Sequence, residues 1–271
     1  MTEKDLAHLK DRFTEYVSSF YSSVLREQMN IALKEEHTFL VCKTIRILAE
    51  RLSLGPGKVL LAETIGLFHD IGRFPQYARY KTFRDSISVN HGKLGADILV
   101  DNGFLSGLGS GESRTLTNAV KFHNTFVIPG LENAEDLFFL RLVRDADKLD
   151  IWRIFLKFFE DGKSGMTPDI WRGLPDTPGY SEKVLSCIHQ KKTVSHGLLM
   201  NMNDFKLLQL SWVFDLNFQP SFATLKENNY VEKLVSFLPR TDEILKVSDL
   251  LRDYVYQKAK TGDGSLPGDA K

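Results

Sequence analysis

The apolar residues of this chain recur with the period of a helix, and runs that alternate with a period of two are hard to find anywhere along it. Phe13, Tyr16, Val17, Phe20, Tyr21 and Val24 fall at i, i+3, i+4, i+7, i+8 and i+11, which makes one stripe along one helix. A second helix is expected over residues 32–54, with Phe39, Leu40, Lys43, Ile47 and Leu48 along it. Gly55-Pro56-Gly57 stops it, because proline lacks a donor and glycine tolerates the turn. A third runs from Lys58 to Asp70 and carries Leu60, Leu61, Thr64, Ile65 and Phe68. The stretch from Gly72 to Asp85 is aromatic, basic and aperiodic, and reads as a loop. Further helices are expected at about 88–102, 112–123 and 134–159. The fold class is therefore all-α, a helical bundle.

After Asp161 the composition changes, and Gly162 to Tyr180 is rich in Gly and Pro. Helical patterns resume at about 181–190, 203–216, 230–237 and 241–260. We expect a helical core over residues 1–160, a C-terminal helical extension packed on it over 161–260, and a disordered tail over 261–271. A length of 271 residues fits one large domain or two small ones. The 35 basic residues balance the 35 acidic ones, which argues against a surface built to grip long nucleic acid or anionic membrane. Cys42 and Cys187 are too few for a disulfide framework or a CxxC zinc motif. No apolar run approaches the ~18–20 residues that span a bilayer. The first helix, with Lys4, Asp5, Lys10, Asp11 and Arg12, is unlike a signal peptide. A cytoplasmic location is the expectation.

The chemistry begins at His69-Asp70. His37, His69, Asp70, His91, His123 and Asp147 are separated by 32, 1, 21, 32 and 24 residues. Apart from the adjacent pair, each gap is about one helix plus a connection, so successive helices could each offer one ligand to a common interior point. Imidazole and carboxylate suit divalent Zn, Mn and Fe without any thiolate. Four His and two Asp exceed the needs of one four-coordinate zinc and suit two ions with a bridging carboxylate. Two ions about 3.5–4 Å apart can clamp both oxygens of an in-line phosphoryl displacement. Neighbours on a helix lie about 100° apart, so His69 and Asp70 reach one site most easily where the helix ends, as Gly72 and Pro75 suggest.

With His37 in EEHTFLVCKTIRIL, the pair in LFHDIGRFPQY, His91 in SVNHGKLGADIL, His123 in VKFHN and Asp147 in RDADKLD, the chain resembles the HD-domain superfamily of metal-dependent phosphohydrolases over about residues 30–155. That resemblance implies that His37, His69, Asp70 and Asp147 are the core metal ligands. It also implies that His91 and His123 are the two extra ligands of members holding a second metal, with Asp70 bridging. The resemblance, rather than periodicity, selects Asp147 over Asp145 and Asp150, because the family's last Asp stands before a frequent basic residue, here Lys148. Asp145 and Asp150 are expected to be solvated or salt-bridged.

Residues 71–93 hold Arg73, Arg79, Lys81, Arg84 and Lys93 against the single acid Asp85. A guanidinium fork suits phosphate. Arg73, three residues past Asp70, and Lys148, beside the last ligand, are the expected catalytic and substrate-binding cations, together with Asp70 in catalysis. Arg79, Lys81 and Arg84 serve equally well as solvated loop charges. Phe74, Tyr77, Tyr80 and Phe83 either pack the segment onto the bundle or shape a cleft, with packing the commoner role. Trp152, Phe155, Phe158 and Phe159 read as core.

The expected function is hydrolysis of a nucleotide or other small phosphoester by a hydroxide activated at a mono- or binuclear metal site, with divalent ions (Mn, Fe, Zn or Mg), two being the expectation, as cofactors. An alternative uses the same ligands for two irons in a di-iron oxygenase of the inositol oxygenase-like type. The absence of a further His near Arg73 tilts the choice towards hydrolysis. A third reading is a non-catalytic binding or regulatory module that keeps the fold.

Overall fold

The structure is a computed structural model and describes residues 1–160 and 173–261. The loop expected from Gly162 therefore lies partly, and the expected tail almost wholly, outside the described residues. Among those residues every regular element is helical, and no helix is long and apolar enough to cross a membrane. The chain divides into two compact units, Met1–Asp147 and Lys148–Gly264. The division falls inside a long helix, whereas the composition change lies after residue 160.

The first unit contains α1 (Glu3–Ser18), α2 (Leu25–Arg51), α3 (Pro56–Phe68), α4 (Arg73–Tyr80), α5 (His91–Asp101), α6 (Ser110–Phe122) and the opening of α7 (Ala134–Glu160). α1 starts on a capping box, Thr2 with Asp5, and buries Leu6, Leu9, Phe13 and Val17. It stops before the end of the stripe that the sequence showed. Ser18 and Ser19 turn their hydroxyls back onto the carbonyls of Glu15 and Tyr16, both at 2.7 Å, the competition by which serine ends helices. Phe20, Tyr21 and Val24 consequently lie in the connection, and α2 begins at Leu25 rather than near Ala32. α2 buries His37, Val41, Ile45 and Leu48 on one face and leaves Phe39 and Ile47 partly exposed.

α3 is the centre of this unit. Every residue from Val59 to Phe68 is buried, as expected of a helix apolar on all sides. The one charge within that buried stretch, Glu63, is met by Lys10 and by Arg46 at 2.9 Å. A Cβ at Gly66 would lie 3.0 Å from Ile45 Cγ2 and 3.2 Å from Cys42 Cα, so glycine is what lets α2 come so near.

The stretch expected as a loop contains α4. Gly72 precedes it, and Pro75 sits in its first turn, where the missing donor costs nothing. Phe74 and Tyr77 are buried on it, Phe74 against Phe13 with ring centroids 5.9 Å apart. Eight residues are too few to display a helical period, which is why the sequence pattern concealed the element.

The second unit contains the remainder of α7, α8 (Glu182–His189), α9 (Met202–Ser211), α10 (Gln219–Glu227), α11 (Tyr230–Ser236) and α12 (Asp242–Lys260). α12 packs on α8, α10 and α11, and α9 on α8 and α11. Trp152, Phe155, Phe158 and Phe159 are buried, as their spacing predicts, and Trp152 donates its indole N–H to Gln209 O at 3.1 Å.

At Gly72 a Cβ would lie 2.2 Å from His91 O and 2.9 Å from Gly95 N, both backbone atoms that cannot step aside as a side chain can. Gly72→Ala is therefore expected to push α5 away from the end of α3 at a cost of about 1–3 kcal/mol or more. A lowered urea midpoint by circular dichroism, with weaker metal binding, is the expected result.

Candidate metal centre

All six residues expected as ligands meet in the first unit, each placed by its own helix or by the turn beside it. His37 projects from the middle of α2 on the buried face it shares with Val41 and Ile45. His69 caps the C-terminus of α3, and Asp70 follows in the turn before α4. His91 is the first residue of α5. His123 caps the C-terminus of α6. Asp147 lies on α7. The expectation that the pair sits where its helix ends is met: α3 finishes at Phe68.

The distances resolve into two halves around one carboxylate. On the Oδ2 side of Asp70, His37 Nε2 stands at 3.7 Å and His69 Nε2 at 3.9 Å. These two nitrogens are 3.2 Å apart, and Asp147 Oδ1 approaches them at 3.1 and 3.7 Å. On the Oδ1 side, His91 Nε2 stands at 3.3 Å and His123 Nε2 at 3.6 Å, with 3.0 Å between them. His37, His69 and Asp70 form one group able to hold a metal ion, and Asp70, His91 and His123 form another.

Hydrogen bonds at the far ring nitrogens prepare these imidazoles as ligands. His69 Nδ1 meets Gly66 O at 2.7 Å and His123 Nδ1 meets Val120 O at 2.8 Å. A carbonyl only accepts, so each Nδ1 carries the proton and, in the neutral ring, Nε2 presents its lone pair inward. His91 Nδ1 is held by the Asp85 carboxylate at 2.7 and 2.9 Å. His91 and His123 thus aim two lone pairs at each other across 3.0 Å, an arrangement that repels unless a cation lies between them. Ligands about 2.0–2.1 Å from one ion are about 3 Å from each other. The residues fit a metal ion.

The electrostatics agree. Burial resists the charge on Asp70, but Lys34, the neighbouring imidazoles and Arg73 outweigh it and hold the carboxyl well below the usual range. Burial likewise opposes the charge on Asp147, and the imidazoles of His37 and His69 overcome it. Burial depresses His123 to about 4, which leaves it neutral and able to ligate at pH 7.

The two cations expected at a phosphate have partners of their own. Arg73 Nη1 donates to Gln76 Oε1 at 2.9 Å, Phe83 O at 2.6 Å and Asp85 Oδ1 at 2.9 Å, while its Nε lies 3.4 Å from Asp70 Oδ1. Lys148 Nζ pairs with Asp215 Oδ2 at 2.8 Å within the second unit. Among the basic neighbours, Lys81 pairs with Glu27 at 2.8 Å. Asp145 and Asp150 are buried rather than solvated, and Asp150 accepts from Arg153 at 2.6 Å. The aromatics do pack: Phe74 and Tyr77 are buried, and Tyr77 stacks on Phe83 with centroids 4.8 Å apart.

Two residues at the centre escaped sequence reasoning. Lys34 donates from Nζ to Asp70 Oδ2 at 2.8 Å and lies 5.4 Å from the Phe83 ring centroid. Its signal was available, since three residues before His37 is the same helix face. Asp85 was visible only as the lone acid in a basic stretch, and no spacing rule ties it to His91.

Residues 35–152 match the family model described as the HD domain. That match and the cluster of His and Asp side chains together fit a metal site of the HD type. Comparisons with curated proteins and with solved structures give no match.

Because both halves lean on Asp70, Asp70→Ala is expected to reduce bound divalent metal to background. Elemental analysis of the folded variant beside the unmodified protein measures it.

Proposed function

We propose that this chain is a two-metal phosphohydrolase acting on a nucleotide or other small phosphoester. The observation that carries the reading is the placement of two histidine pairs on opposite oxygens of Asp70. Two divalent ions held by these residues would supply a water activated at neutral pH and a clamp for the oxygens of an in-line displacement.

The chain's own contribution is orientation and charge. Asp70 spans the two halves, while His37, His69 and Asp147 serve one and His91 and His123 the other. Their positions at helix ends and on a buried face leave little freedom to relax, which is the condition for electrostatic stabilisation without reorganisation. Lys34 carries its ammonium on a flexible stem one turn from His37 and can turn from Asp70 to a phosphate oxygen. Arg73 faces Asp70 with its Nε, a buried atom that makes no hydrogen bond, and adds positive charge on the other side.

The test is phosphate release from a panel of phosphomonoesters, diesters and nucleotides, by protein loaded separately with Mn, Mg, Zn or Fe. Metal-dependent release abolished by chelation is expected. Two ions per chain are expected by elemental analysis. Iron-coloured protein that consumes oxygen and releases no phosphate would overturn the reading in favour of the di-iron oxygenase. An inert protein with both ions bound would favour a binding module.

On an active substrate, Lys34→Gln removes a charge-assisted hydrogen bond worth about 1.5–3 kcal/mol, hence a KM increase of about tenfold to a hundredfold. Steady-state kinetics check this, and metal content should stay unchanged.

A further inference from the structure

We infer that Asp85 is the positioning carboxylate of the His91–His123 half of the centre, and that this half depends on it for metal affinity while the other half does not. The inference rests on the two-ion reading proposed above and on no particular reaction.

The reason lies in where His91 sits. His69 and His123 stand at helix C-termini, where carbonyls lack partners, and each gives its Nδ1 proton to the carbonyl three residues back on its own helix. His91 is the first residue of α5. A helix N-terminus offers unpaired N–H groups and the positive end of the dipole, so no carbonyl of its own helix can orient the ring. An acceptor must come from elsewhere, and Asp85 supplies it with both oxygens, at 2.9 and 2.7 Å from Nδ1.

Asp85 is itself immobilised. Arg73 Nη1 and Gln76 Nε2 donate to its Oδ1, and Asn124 Nδ2 to its Oδ2, all at 2.9 Å. Together with His91 these donors come from α4, from α5 and from the residue after His123, and they fill the carboxylate's acceptor sites. The ring of His91 is thereby held in the tautomer that leaves Nε2 free for an ion, 3.3 Å from Asp70 Oδ1. A carboxylate in this place also makes the imidazole a stronger donor to a metal than a carbonyl does. Arg73 acquires a definite task in the same scheme, since it fixes Asp85.

Titration of metal-free protein with Mn2+, followed by calorimetry and by the electron paramagnetic resonance of free Mn2+, tests the inference. Unmodified protein should take two ions, and His91→Ala one. Asp85→Asn keeps the size of the side chain but sets an amide against four donors. It should bind the first ion as the unmodified protein does and the second about 10- to 100-fold more weakly. Equal affinity for the second ion in Asp85→Asn would overturn the inference. A single ion in the unmodified protein would overturn the two-ion reading instead. A role confined to folding would weaken both ions together and lower the melting temperature without this selectivity.

A second measurement needs no variant at Asp85. In metal-free unmodified protein with 15N-labelled histidine, the His91 signals, assigned by their loss in His91→Gln, should report the Nδ1–H tautomer. The Nε2–H tautomer would refute the inference even if Asp85→Asn failed to fold.

Discussion

A buried carboxylate shared by two histidine pairs is the constraint on which the rest of the first unit depends. Asp70 is only 3% exposed, and an isolated charge so placed would be prohibitively costly. It persists because Lys34, Arg73 and the imidazoles surround it. Everything that fixes Asp70 is correspondingly rigid. α3 is buried along its length, Gly66 lets α2 pack against it at backbone distance, and Gly72 lets the start of α5 do the same from the other side. The neighbourhood that makes the carboxylate tolerable is also the one that makes it a place for cations.

Helix termini do most of the positioning. Two of the four histidines use the unpaired carbonyls at a helix C-terminus to fix their tautomer, so the backbone that ends the helix also orients the ligand. The third stands at a helix N-terminus, where the backbone offers only donors, and a side chain is recruited in its place. Each half thus has one histidine set by the backbone of its own helix, and the His91–His123 half has a second set by a remote carboxylate. That difference gives the two halves a physical basis for unequal behaviour.

Electrical neutrality over the whole chain hides a second asymmetry. The basic stretch after the ligand pair looks like charge offered to a substrate, but several of its cations are engaged inside the protein. Arg73 holds Asp85 and lies against Asp70, and Lys81 pairs with Glu27. Lys34, from a different helix, contributes a cation at the Asp70 carboxylate itself. Local charge counts along a sequence therefore overstate what remains for a ligand.

The sequence by itself determined the helical class, the end of α3 at His69-Asp70 and the six residues that the fold gathers around Asp70, because each rests on local spacing or on a motif with its flanking residues. Trp152 and its aromatic neighbours were legible as core for the same reason. It did not reveal that the stripe from Phe13 breaks at Ser18, because serine back-bonding and apolar periodicity compete and only the folded chain shows which prevails. α4 was too short to show a period. The tertiary structure alone decided the partners: that Asp85 holds His91, that Arg73 is bound to Asp85, and that Lys34 reaches Asp70. Periodicity says which face of a helix turns inward, whereas a hydrogen bond between residues on different elements depends on where those elements pack.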